Sequence, residues 1–181
     1  MSRPAVFIDR DGTLNVEKNY LHKWDDWEWI VGAVDAIKRL NAAGYLVIVT
    51  SNQAGIARGY YTEADVLELH RRVDEDLKQQ GGQIDAYYYC PHHPEHGEVR
   101  ECECRKPEPG MLLQAARDHD IDLNHSFMVG DKASDVEAGL VAGVVSILVL
   151  TGYGEKERTE VPPATMIARD IGAACDWILS E

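Results

Sequence analysis

An α/β fold built on a mainly parallel sheet is predicted by three features: short apolar runs, helical patterns between them, and polar motifs placed just after the runs. Six runs read as strands: residues 5–8 (Ala-Val-Phe-Ile), 45–50, 84–89, 126–129, 145–150 and 165–168. Runs that do not alternate with polar residues suit strands buried on both faces. The first helical pattern spans 33–43, with Val34, Ile37 and Leu40 on one side and Gly44 closing it. Thr62 is placed to cap the second, whose stripe is Val66, Leu69 or His70, Val73 and Leu77, and Gly81-Gly82 ends it. Further helices are expected over 109–119, 134–142 and 171–179. This alternation implies three layers, with helices on both faces of the sheet and any ligand at the carboxyl ends of the strands.

Length and composition narrow the classes. The 181 residues favour one domain, 1–181, with a sizeable core. A net charge of −13 disfavours generic nucleic-acid binding, which needs a basic surface. No apolar run is long enough to span a membrane, and the first residues carry no signal-peptide pattern, so a cytoplasmic location is expected. Cys90, Cys102 and Cys104 cluster, whereas Cys175 stands alone and reads as a core residue. Clustered thiols in such a chain suit metal ligation better than disulfides. The longest stretches without periodicity, 15–29, 51–61 and 90–109, are loops of a length that often carries function.

Four motifs sit where strands end or helices begin. Asp9-Arg10-Asp11-Gly12-Thr13 follows the first strand. Paired carboxylates there can share a divalent cation, and Gly12 lets the chain turn sharply behind them. Thr50-Ser51-Asn52-Gln53 ends the second strand and offers hydroxyl and backbone N–H groups to phosphate oxygens. Arg105-Lys106-Pro107 brings two cations to a helix approach. Gly130-Asp131-Lys132-Ala133-Ser134-Asp135 follows the fourth strand, and Asp135 would face the same way as Asp131 on a helix. Each motif alone is as well read as a solvated turn or a helix-terminal charge. Together, on one edge of one sheet, they are hard to attribute to coincidence.

The set Asp9-x-Asp11-Gly12-Thr13, Ser51, Lys106 and Gly130-Asp131-x3-Asp135 resembles the haloacid-dehalogenase (HAD) superfamily of phosphatases, with its motifs in that family's order. The resemblance implies a three-layer HAD-like Rossmannoid domain. It implies that Asp9 is the nucleophile forming an aspartyl-phosphate and Asp11 the general acid and base. Ser51, rather than Thr50, and Lys106 would stabilise the phosphoryl group. Mg²⁺ would be held by Asp9, the main-chain carbonyl of Asp11, and Asp131, with Asp135 orienting the site. Lys106, Arg105, Lys132 and Arg58 would then make a positive focus inside an acidic protein.

Cys90-Pro91-His92 followed by Cys102-Glu103-Cys104 gives three thiolates and an imidazole, enough to close a tetrahedral structural zinc site over a loop spanning 90–104. His93 and His96 compete for the fourth place. The pattern resembles the histidinol-phosphatase branch of the superfamily, and that resemblance selects His92. It also implies a sugar bisphosphate as substrate, specifically removal of the C7 phosphate of a heptose 1,7-bisphosphate on the way to nucleotide-activated heptose. Glu17, Asn19 and Tyr20 become candidate sugar contacts, Asn52, Gln53, Arg58 and Lys132 further substrate contacts, and Arg105 a holder of the second phosphate. The intervals from Asp9 to Ser51 and from Ser51 to Lys106 have no room for a large cap domain. Trp24, Trp27 and Trp29 are expected to pack a loop onto the core rather than line the mouth. The chain is taken as a monomer without nucleic-acid or membrane partners. Histidinol phosphate is the alternative substrate, a nucleic-acid 3′-phosphate a poorer one, and a catalytically silent zinc-stapled binding module the reading from another class. The residues after Leu150 match that branch poorly, and no function is inferred for them.

Overall fold

Strands form where the apolar runs lie, because alternate residues of each run find an apolar layer on either side. The computed structural model describes residues 2–181. β1 (Ala5–Ile8), β2 (Leu46–Asn52), β3 (Ala86–Cys90), β4 (Phe127–Gly130), β5 (Val145–Val149) and β6 (Met166–Ala168) make one sheet in the order β3-β2-β1-β4-β5-β6, all parallel. Val6 and Ile8 of β1 join a core with Ala33, Ala36, Ile37 and Leu40 of α1 (Ala33–Ala42), Leu69, Val73 and Leu77 of α2 (Glu63–Gln79), and the C-terminal helix. Ala5 and Phe7 point to the other face, against Leu112 and Ala115 of α3 (Gly110–His119) and Ala138 of α4 (Ala133–Ala142). Fully buried side chains such as Phe7 and Ile8 each contribute about 2 kcal/mol by leaving water. The result is three layers, with α1, α2 and α6 (Ile171–Ile178) on one side and α3 and α4 on the other.

Local chemistry sets the element ends. Thr62 Oγ1 accepts from the Asp65 N–H and the Asp65 carboxylate accepts from the Thr62 N–H, a reciprocal cap worth about 1 kcal/mol. β2 runs two residues past the predicted Thr50, because Ser51 and Asn52 pair with Tyr89 and Cys90 of β3. β3 begins at Ala86 rather than Ile84, since the Asp85 side chain accepts from the Val47 N–H at 2.8 Å just before the strand. Two 3-10 turns, 24–26 and 123–125, and the short helix α5 (Gly154–Glu157) are too brief to leave a periodic signal.

The order of the strands reverses between β1 and β4. Neighbouring crossovers leave in opposite directions there, which opens a crevice at the carboxyl ends. Asp9, Ser51 and Asp131 lie at or just beyond the carboxyl ends of β1, β2 and β4. Loops, the 24–26 turn, α1, β2, α2 and β3 fill the chain between β1 and α3, leaving no large cap domain among the described residues. Trp24, Trp27 and Trp29 pack against the core and one another, as expected, with Trp27 and Trp29 edge to face at 5.0 Å. No helix among the described residues is long and apolar enough to cross a membrane.

Candidate active site

A cavity of about 400 Å³ opens at the crevice. Among the residues predicted for the site, Asp9, Asp11, Ser51, Asn52, Gln53, Arg105, Lys106 and Lys132 line it. Glu17, Asn19 and Tyr20 of the first long loop line it too. Asp131 lies beneath, fully buried. Arg58 stands behind Tyr20, one of the lining residues. Its guanidinium sits 3.1 Å from His93 Nε2 and 5.9 Å from the centre of the Tyr20 ring, outside the cavity lining.

The strand tips bring the charges together. The Asp9 N–H donates to the Val129 carbonyl at 2.9 Å, which ties the β1 tip to β4. Carboxylate oxygens of Asp9, Asp131 and Asp135 lie within 4.8 Å of one another. Lys106 Nζ donates to Asp9 Oδ1 and Asp135 Oδ1, both at 2.7 Å, and to the Thr50 carbonyl at 2.7 Å. Burial opposes the charge on Lys106, but Asp135 and Asp9 outweigh it and hold the ammonium protonated. Asn52 sets the height of this lysine: its side chain accepts from the Lys106 N–H at 3.1 Å and donates to the Lys106 carbonyl at 3.0 Å. Thr50 faces the core, with its hydroxyl 3.8 Å from Met128 Sδ, so Ser51 is the hydroxyl that reaches the cavity.

Asp131 Oδ2 accepts from the Tyr153 N–H at 2.8 Å, but its Oδ1 is buried without a partner. Burial, then the charges of Asp9 and Asp135, push the Asp131 carboxyl up to about 8. A buried, unpartnered oxygen among crowded carboxylates is what a divalent cation relieves, so these residues fit one. Gly12 is needed beside it. Its φ is +89°, and a Cβ there would collide with the Asp131 carboxylate.

The Asp11 carboxylate stands apart from that trio. Arg10 grips it through Nε and Nη2 at 2.9–3.2 Å, Asn15 donates at 3.1 Å and Gln53 at 3.2 Å. Burial pushes its pKa up, yet the Arg10 charge and these donors bring it below the ordinary range. The pairing of Asp9 and Asp11 side chains on one cation, expected from their spacing, gives way to Asp9 with Asp131 and Asp135. A buried arginine holds the second aspartate instead. Glu17 has its carboxyl pushed up by burial and by the charge of Asp11, while its Oε1 accepts from the Asn19 N–H at 2.7 Å.

Cys90, His92, Cys102 and Cys104 converge, with ligand atoms within 4.8 Å. Their closest separations are 2.9 Å between Cys104 and Cys90, 3.6 Å between Cys90 and Cys102, and 3.5 Å between Cys104 and His92 Nδ1. All three are too long for a disulfide, and the two longer ones match the spacing of donors around one zinc ion. His92 is the imidazole within that cluster, whereas His93 and His96 gather with Glu95 in a separate group, His93 Nδ1 accepting from the Glu95 N–H at 3.0 Å. Arg105 Nη1 donates to the His92 carbonyl at 3.1 Å, linking this cluster to the cavity wall.

Sequence reasoning missed three groups here. Tyr153, in the stretch after Leu150, lines the cavity and secures Asp131 through its N–H. Its position beyond the carboxyl end of β5 was the available signal. Tyr61 and Arg10 carried none, since a tyrosine in a turn and an arginine between two aspartates are unremarkable by type.

The sheet order and a strand-tip Asp-x-Asp facing a lysine and a second acidic pair define an HAD-like hydrolase. The family model described as "HAD-hyrolase-like" matches residues 103–174. A D-glycero-beta-D-manno-heptose-1,7-bisphosphate 7-phosphatase of Yersinia pestis is 44% identical over 185 aligned positions, covering 99% of this chain and 92% of that protein. One from Pasteurella multocida is 48% identical over 153, covering 83% of each. The crystal structure of the D,D-heptose 1,7-bisphosphate phosphatase from B. bronchiseptica, complexed with magnesium and phosphate, superposes with a TM-score of 0.88 at 36% identity, covering 98% of both chains. The chain belongs to the family of D-glycero-D-manno-heptose-1,7-bisphosphate 7-phosphatases.

Proposed function

We propose that this chain is a Mg²⁺-dependent phosphatase that removes the C7 phosphate of D-glycero-D-manno-heptose 1,7-bisphosphate, in the synthesis of nucleotide-activated heptose. The observation that carries the reading is the buried Lys106, held at 2.7 Å from Asp9 and from Asp135 beside the unpartnered Asp131 oxygen. This is a cationic seat for a phosphoryl group next to a carboxylate nucleophile. The names borne by the relatives supply the sugar.

In this reading Asp9 attacks phosphorus in line, and the P–O bond to C7 breaks as the aspartyl-phosphate forms. Asp11 gives a proton to the departing C7 oxygen, then takes one from the water that attacks the aspartyl-phosphate. Inorganic phosphate leaves and Asp9 is restored. The lowered pKa of Asp11 suits the second task. For the first, the approaching phosphate dianion works against the field of Arg10 and favours the protonated carboxyl. Asp9, Asp131 and the Asp11 carbonyl would hold Mg²⁺, which when bound offsets the negative charge between nucleophile and substrate. Ser51 and Lys106 bind the transferring phosphoryl oxygens, Glu17, Asn19 and Tyr20 the sugar, and Arg105 the C1 phosphate. Zinc on Cys90, His92, Cys102 and Cys104 would fix the loop that presents Arg105 and Lys106. The whole 181-residue chain acts as one domain, monomeric and cytoplasmic, where clustered thiols stay reduced.

The test is phosphate release with Mg²⁺ from heptose 1,7-bisphosphate, histidinol phosphate and a 3′-phosphorylated oligonucleotide. The heptose is expected to turn over fastest, with ³¹P NMR showing the C1 phosphate retained. Faster turnover of histidinol phosphate would replace the substrate reading.

A further inference from the structure

Tyr61 is 7% exposed, and its hydroxyl donates to Gln53 Oε1 at 2.6 Å. That contact fixes the sense of the amide, with its oxygen toward Tyr61 and its nitrogen toward the site. Gln53 Nε2 lies 2.6 Å from Ser51 Oγ and 3.2 Å from Asp11 Oδ2. An amide nitrogen has two hydrogens and accepts nothing, so both are committed to these oxygens. Ser51 therefore accepts from Gln53, and its own hydrogen is left to donate into the cavity. The sequence makes room for the arrangement: a Cβ at Gly55 would collide with the Tyr61 ring, and His22 stacks on that ring at 4.8 Å. Burial pushes the phenol up to about 12, so it stays a donor.

We propose that Tyr61 is a positioning residue for phosphoryl transfer, acting through Gln53 to keep Ser51 a donor toward the phosphoryl oxygens and to steady the Asp11 carboxylate beside it. Without the phenol hydroxyl, the amide loses its anchor and can swing. Its oxygen can then accept the Ser51 hydrogen and turn it away from phosphate. The role rests on the phosphatase reading above, and the experiment separates the two.

Tyr61→Phe keeps the ring and its packing. It is expected to lower kcat on heptose 1,7-bisphosphate about fivefold to tenfold, as loss of one hydrogen bond at the reacting centre does, with KM changed less than about twofold. Gln53→Leu should lower kcat at least as far. In the Gln53→Leu background Tyr61→Phe should do nothing more, because its only route is gone. A Tyr61→Phe enzyme within about twofold of the parent, or an undiminished effect in that background, would overturn the proposal. A second measurement needs no turnover. The Gln53 side-chain amide protons, assigned by their loss in Gln53→Leu, should exchange with water faster in Tyr61→Phe than in the parent. Equal exchange overturns the relay, whereas a parent inactive on the heptose overturns the phosphatase reading and with it the relay's part in catalysis.

Discussion

Two ion-ready clusters, the carboxylates at the strand tips and the thiols of the 90–104 loop, are held in opposite ways. Asp9 and Asp131 follow directly on β1 and β4, whose backbone ladder fixes them whether or not a cation is present. The groups there repel one another, and the crowding is tolerated because the sheet leaves them nowhere to go. In the thiol cluster only Cys90 stands on a strand, at the end of β3, and the other three donors lie in the loop that follows. Between Cys90 and α3 the only pairing among the described residues is an isolated bridge from His93 to His96. A scaffold that pre-forms a site spends folding energy on it. A loop that lacks one draws its order from the ion. The first cluster is therefore expected to answer to its cation mainly in catalysis, the second mainly in stability.

Substitutions can break or sharpen that contrast. The largest effect is expected for Asp9→Asn: kcat at least about a thousandfold lower, with a thermal midpoint equal to or above the parent's. A large loss of stability would mean the strand tip depends on that charge. Next, Asp131→Asn should lower turnover about a hundredfold and weaken Mg²⁺ dependence, while raising the melting temperature of the Mg²⁺-free protein near neutral pH by removing a crowded carboxyl that must take up a proton on folding. A lower Mg²⁺-free melting temperature would count against pre-formation. Cys102→Ser should reverse the pattern, with no zinc by metal analysis and a midpoint lower by about 5 °C or more. Some activity should go too, because Lys106 lies two residues past Cys104. Full zinc-free stability would end the contrast.

The smallest effect is a pH dependence. In the Mg²⁺-free fold the Asp131 pKa is raised to about 8 from an ordinary 3.8, so between those values the folded state holds a proton that the unfolded chain has released. Stability from this group is therefore lost as pH rises through that window. Bound Mg²⁺ removes the penalty by stabilising the carboxylate. The rise in melting temperature on adding Mg²⁺ should thus be greater at pH 8 than at pH 6, and a rise that shrinks with pH would contradict the assignment.

What could be read from the sequence divides along the same line. Asp9, Ser51 and Asp131 were legible because each follows an apolar run, and a parallel sheet sends the ends of its strands to one place. The zinc ligands were legible from thiol spacing, although the choice of His92 over its neighbours needed the resemblance, and the fold then gave His93 another partner. Illegible were contacts made through space by residues of ordinary type. Nothing in Asp9-Arg10-Asp11 says that Arg10 turns inward, 1% exposed, to hold Asp11 and the Leu21 carbonyl. Arg58 has its charge beside His93 and the Tyr20 ring rather than among the cavity-lining residues, a placement that its residue type does not foretell.

All the chemistry lies on one rim of the sheet, which leaves the other rim free for engineering. The turns leading into β2 and β4, at Ala42–Gly44 and Asn124–His125, are exposed and lie at the amino ends of those strands. An affinity tag, a fluorophore or a surface tether spliced in at Ala43 would project away from the mouth of the cavity. An immobilised form made that way should keep its access to dissolved sugar, whereas the same insertion at Gly152, packed against Gly12 and the Asp131 carboxylate, would disturb the site itself.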